Sequence, residues 1–178
     1  MSSEPRRLVT PENVIAGVFL VLALVFPLLF HAVNLRATFL PMFFPIALAG
    51  LLLSPGTAAL IGFLAPLMSA GLTGMPPFYP PIAPLMSVEG MVLGGGISLV
   101  SSRLNWGVIP SLLTGIMLER LVLVLMVFIL APAFHLPGEV FSAGMLIAGI
   151  PGVILQLIGI PPIFAILKPR MMRLQEID

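Results

Sequence analysis

Between Glu12 and Arg36 no residue carries a formal charge, and the middle of that stretch reads VIAGVFLVLALVFPLLF. About 20 apolar residues, rising 1.5 Å each, cross a hydrocarbon core about 30 Å thick. Six stretches of this kind follow one another, at about 13–33, 40–54, 57–72, 82–101, 107–131 and 142–167. They leave little chain over. The spacing predicts an all-α integral membrane protein of six transmembrane helices, one polytopic domain over 1–178, with tails at 1–12 and 168–178. The second and third stretches are short and are separated only by Ser54, Pro55 and Gly56, residues suited to a tight turn. A hairpin that spans obliquely or incompletely, beside four full spans, is the alternative.

Composition agrees. Hydrophobic residues make up 59% of the chain and charged residues 8%, against about 45–50% and about 25% in soluble domains. The N-terminus superficially resembles a secretory signal. Its apolar run, however, is longer than the usual 7–15 or so residues and lacks a small-x-small cleavage site, so it reads as a retained first helix.

Basic residues set the expected orientation, because cytoplasmic loops carry an excess of Lys and Arg. With both termini cytoplasmic, Arg6, Arg7, Arg103, Lys168, Arg170 and Arg173 fall inside, and Arg36 alone falls in an outer loop. Trp106 fits an inner interfacial anchor. Two outer connections are distinctive. LTGMPPFYPPIAP (Leu72 to Pro84) is rich in proline, which predicts a stiff, extended, non-helical segment. APAFHLPGEVF (Ala131 to Phe141) is a milder version. Such a loop either covers a pocket or is a rigid connector.

Within the spans, Gly90 and Gly94 form a GxxxG pair that lets another helix approach closely. Pro27, Pro66, Pro110 and Pro151 are expected to kink their helices. Charged residues in a span cost at least about 2.5–3.5 kcal/mol each on insertion scales and normally face the bundle interior. Glu89, Glu119 and Arg120 are in that position. Neighbours on a helix point about 100° apart, so Glu119 and Arg120 are expected to be poor partners for each other. Glu89 lies about 10 Å below the outer end of the fourth span, and Arg120 about 16 Å below that of the fifth. These two are expected to meet, either bordering a polar pocket open to the outside or only fixing helix register. His31 and His135 read as interfacial polar residues, and the methionines as core filler.

Several functions are excluded by absence. A net charge of +1 gives no basic field for nucleic acid. With no cysteine there is neither a disulfide nor a thiolate site. No GxxxxGK[ST], HExxH or GxSxG occurs. No catalytic residue, metal or cofactor is therefore expected, and the chain does not read as an enzyme.

Three runs carry a resemblance: FPLLFHAVNLRATFLPMFFPIALAGLLLSPGTAALIGFLAPLMSAGLTGMPP, PLMSVEGMVLGGGISL and IAGIPGVILQLIGIPPIFAIL. In this order they resemble the substrate-binding (S) components of energy-coupling factor transporters, from about Ala16 to Leu167. The resemblance implies a six-helix subunit of a bacterial or archaeal plasma membrane that captures a vitamin or related small organic nutrient at the outer face. Its partners would be a membrane coupling protein and two cytoplasmic ATPases. Arg120 would contact an anionic or hydrogen-bonding group, Glu89 would balance it, and Glu119 would border the pocket. Phe78 and Tyr79 would cap the ligand, with Asn34 and Arg36 closing the other side. Ala16, Gly17 and Ala23 would contribute to the docking face of the first helix. Phe43 stands where relatives often have a polar residue, and Glu119 where many have a small one. The N-terminal MSS lacks the Met-His arrangement of metal-transporting relatives, so cobalt or nickel is not expected. A free-standing permease or channel and a non-transporting assembly subunit are the rival readings.

Overall fold

The computed structural model describes residues 10–32, 41–136 and 143–175. Among them the regular elements are all helical: α1 (Pro11–Ala32), α2 (Phe43–Leu52), α3 (Pro55–Thr73), α4 (Ile82–Arg103) and α5 (Val108–Leu125). A π-helical segment (Met126–Leu130) and a last turn, α6 (Ala131–Ala133), prolong α5, and α7 (Ala143–Ala148) and α8 (Ile150–Gln175) complete the chain. Five helices are long and apolar enough to cross a membrane: Pro11–Phe30, Pro55–Thr73, Ile82–Arg103, Val108–Ala133 and Leu146–Met171.

The two helices expected to be short differ from each other. With 19 residues, α3 rises about 28 Å and is long enough to cross a membrane. At 10 residues, α2 rises only about 15 Å. Every residue from Phe43 to Leu51 is buried. A helix apolar all round belongs inside the protein, and α2 packs against α1, α3, α4 and α8 as the core of the bundle.

Antiparallel order follows from named contacts. At one end the Ser54 amide, just before α3, donates to Glu12 Oε1 in the first turn of α1 at 3.0 Å. The chain has therefore returned to the level at which α1 began. There too Ser98 Oγ, buried on α4, donates to the Leu53 carbonyl at 2.6 Å. Removing a buried partner costs about 1–3 kcal/mol. Ser98→Ala is accordingly expected to lower the unfolding midpoint in detergent by the equivalent of that amount.

The tightest helix pair is α3 with α4. A Cβ added to Gly90 would lie 2.5 Å from the Gly62 carbonyl oxygen, and one added to Gly94 would lie 2.7 Å from that of Ala58. The GxxxG pair thus serves the backbone approach its spacing predicts. Large apolar side chains line the outside of the bundle, among them Val14, Val18, Val21 and Val25 on α1, Met117 and Leu121 on α5, and Ile154 and Ile158 on α8. Lipid suits such a surface, whereas water does not.

The proline-rich connection is shorter than the sequence indicates. Leu72 and Thr73 still belong to α3, and Ile82 to Pro84 already belong to α4. Gly74 ends α3 with φ +73, a left-handed conformation that glycine adopts without steric cost. The rest is held by local bonds: Ser69 Oγ donates to the Met75 carbonyl at 2.7 Å, and the Ala83 amide to the Pro77 carbonyl at 3.0 Å.

Candidate binding site

The charged residues are brought together by the seam between α4 and α5. On α4, Leu85, Glu89, Leu93 and Ile97 recur every fourth residue and are all buried. On α5 the buried stripe is Leu112, Gly115, Ile116, Glu119 and Leu123. A Cβ on Gly115 would meet both Ile97 and the Leu93 carbonyl. One turn further along, the antiparallel register carries Glu89 to the level of Glu119 and Arg120. Both lie close enough to act on its charge.

The pairing differs from the expectation. Arg120 Nε lies 3.2 Å from Glu119 Oε2, its own neighbour in the chain. Backbone directions 100° apart do not prevent the contact, because both side chains are long enough to fold back over one another. Arg120 Nε nevertheless makes no hydrogen bond, so the pair is in electrostatic contact with its N–H misdirected. Among the described residues, Glu89 forms no ion pair with Arg120 within 4.0 Å.

Beyond Glu119, the guanidinium lies across Gly149, between α7 and α8. A Cβ there would fall 2.6 Å from both Nη1 and Nη2. Gly149 begins a buried stripe that continues through Gly152, Gln156 and Ile160 at helical spacing. Gln156 is 2% exposed, on the face that α8 turns to the bundle. Sequence reading missed it. The signal was there: a lone amide within GVILQLIGI, where polar side chains are rare and functional.

Among the described residues, four buried polar atoms have no hydrogen-bond partner: Glu89 Oε1, Arg120 Nε, Arg120 Nη2 and Gln156 Oε1. Buried polar groups are normally satisfied. The neighbouring serines obey that rule, since Ser87 donates to the Ala83 carbonyl at 2.9 Å and Ser98 to Leu53. Three of the exceptions, on Glu89 and Arg120, sit where α4 meets α5; Gln156 lies seven residues along α8 from Gly149, about 10 Å by helical rise.

Other candidates are placed differently. Tyr79 is 80% exposed and Phe78 is 55% exposed, so neither ring is packed down over the cluster. Asn34 and Arg36 lie outside the described residues. Of the proposed docking residues, Ala23 is fully buried in the chain's own core and is not available to a partner. Ala16 packs partly against that core, and Gly17 is exposed with no atom within 4 Å of a Cβ built on it. Phe43 is buried in α2. An apolar groove of about 280 Å³ lies against α3 and α4, lined by Gly56, Ala59, Leu60, Phe63 and Met91. It is distinct from the polar cluster. No group of three metal-ligating side chains occurs among the described residues.

Long apolar helices, an apolar outer surface and ionisable groups turned inward define a multi-pass membrane protein. Neither protein-family models, nor curated proteins, nor solved structures match this chain.

Proposed function

We propose that the chain is the substrate-capturing membrane subunit of an uptake transporter of the energy-coupling factor type, holding a vitamin-like organic molecule at the seam of α4, α5 and α8. The observation that carries this reading is the group of buried polar atoms on Glu89 and Arg120 with no hydrogen-bond partner in the protein. A purely structural use of these residues would join helices by direct bonds. Instead, the ion pair lies within α5 and ties no two helices together. Glu89 and Arg120 leave hydrogen-bonding capacity unused where α4 meets α5, which is what a guest molecule needs.

In this reading both termini are cytoplasmic, and the stretch that contains α2 is the second of six crossings. The even count draws support from Glu12 and Ser54 meeting at one end of the bundle. A membrane coupling protein and two cytoplasmic ATPases supply the energy. Phe78 and Tyr79, exposed between α3 and α4, close over the occupied site.

Mass spectrometry of small molecules extracted from the purified chain tests the capture step. One organic compound at near-stoichiometric yield is expected, and none after Arg120→Met. Uptake into vesicles containing this chain alone, without nucleotide, would show a free-standing permease instead.

A further inference from the structure

The capture reading puts Arg120 at the guest, and the far end of that side chain rests on one residue. Resting on that reading, we infer that Gly149 is a positioning residue of the site: its missing side chain leaves the room in which the Arg120 guanidinium is presented. Gly149 is buried in the turn between α7 and α8. A Cβ built on it would fall 2.6 Å from both Nη1 and Nη2 and 2.9 Å from Cζ, all of them guanidinium atoms. Other glycines meet different surroundings. At Gly62, Gly90 and Gly94 the nearest atom is a backbone carbonyl oxygen of the neighbouring helix, and at Gly17, Gly56 and Gly71 no atom lies within 4 Å. Among the described residues, Gly149 is the glycine whose nearest neighbours belong to a charged side chain.

Backbone conformation does not call for glycine at 149. Among the described residues the glycine with positive φ is Gly74, so alanine at 149 meets no left-handed strain. Nor do hydrogen bonds hold the guanidinium. Its Nε lies 3.2 Å from Glu119 Oε2 on the same helix, and Nε and Nη2 have no hydrogen-bond partner. Beyond that electrostatic contact, steric fit against Gly149 sets its place. Nonbonded atoms rest about 3.5–4.0 Å apart, so a methyl group there pushes the guanidinium back by about 1 Å. A binding group has to be held to within about 0.5 Å. The fold itself loses little, because the displaced atoms are the far end of a flexible side chain and alanine is the better helix former. Gly149→Ala therefore keeps the charge of Arg120 and changes where that charge is presented.

Gly149→Ala, made in the full chain beside Gly71→Ala as a control, tests this role with two readouts. The first is the small molecule extracted from the purified chain. Gly149→Ala is expected to lower its yield by about tenfold or more, the loss that one misplaced charged hydrogen bond brings, and Gly71→Ala to leave it unchanged. The second is labelling of Arg120 by phenylglyoxal, which reacts with guanidinium groups, on chain washed free of the small molecule and read peptide by peptide by mass spectrometry. The labelling rate of Arg120 is expected to change in Gly149→Ala, while the exposed Arg103 and Arg170 react as in the wild type. Full retention of the molecule overturns the assignment, and so does its loss with Arg120 labelling unchanged. Should Gly149→Ala not fold, the double variant with Arg120→Met decides. If the double variant folds, the clash lies at the guanidinium, as the assignment requires; if it does not, glycine serves the packing of the turn and the assignment falls. A wild-type chain that carries no small molecule sinks the capture reading, and the labelling still decides whether Gly149 positions the guanidinium.

Discussion

Arg120→Met lowers both the stability of the protein and its retention of a small molecule, and the first effect is large. Glu119 is buried to 2% exposure and Glu89 to 4%, and Arg120 is the cation acting on both. Removing one partner of a buried pair typically costs about 3–5 kcal/mol, because it leaves an uncompensated charge. Most of that cost disappears when both partners go. The double variant Glu119→Leu with Arg120→Met is therefore expected to unfold at a higher temperature than Arg120→Met alone. A double-mutant cycle measured by thermal unfolding in detergent isolates the coupling. Binding separates the two roles. If the double variant recovers stability without recovering the copurified molecule, Arg120 acts on the guest as well as on Glu119. If Arg120→Met expresses normally and still retains the molecule, the capture site is not here.

How far the sequence reveals this arrangement depends on which interactions set each part. Helices fixed by their own apolar length are readable: 82–101 against Ile82–Arg103 differs by two residues at one end. The third stretch, 57–72, falls short of Pro55–Thr73 by two residues at its start and one at its end, because Ser54, Pro55 and Gly56 read as a turn whereas Pro55 and Gly56 already belong to the first turn of α3. Rise per residue put Glu89 and Arg120 in the same half of their spans, about 10 Å and about 16 Å from the outer ends, and the structure brings them within electrostatic reach. Partner choice was not legible, because it depends on side-chain reach and on what α8 places opposite. Gly149 leaves room for the guanidinium, and no spacing rule within α5 reveals a glycine near the start of α8. Ala23 fails as a docking residue for the same reason. Small residues mark close approach, but only the assembled bundle decides whether the approaching surface is the chain's own. Gln156 was legible as an anomaly, a polar amide within an apolar run.

Substitution of two glycines of α3, one at its crossing with α4 and one away from it, tests the scaffold that holds this seam. A Cβ on Gly62 would fall against the carbonyl and carbon of Gly90 and the amide of Met91, all of them backbone atoms. A flexible side chain could rotate aside. A helix backbone moves only by separating α3 from α4, and Ala58 against Gly94 resists the same displacement a turn away. Overpacking typically costs about 1–3 kcal/mol and occasionally more. Gly62→Val belongs at the upper end, about 3 kcal/mol or beyond, since there is no side-chain relaxation to absorb it. Gly71 sits in the same helix with no atom within 4 Å of a Cβ built on it. Gly71→Ala is accordingly expected to be neutral or stabilising by up to about 1 kcal/mol, the helix-propensity difference between the two residues. Thermal unfolding in one detergent should therefore move in opposite directions for two glycine substitutions nine positions apart. Separating α3 from α4 also draws Glu89 away from α5, so Gly62→Val is expected to lose the copurified molecule even where the protein still folds. Equal and small effects at both glycines would mean that the α3–α4 crossing does not set the geometry of the polar cluster.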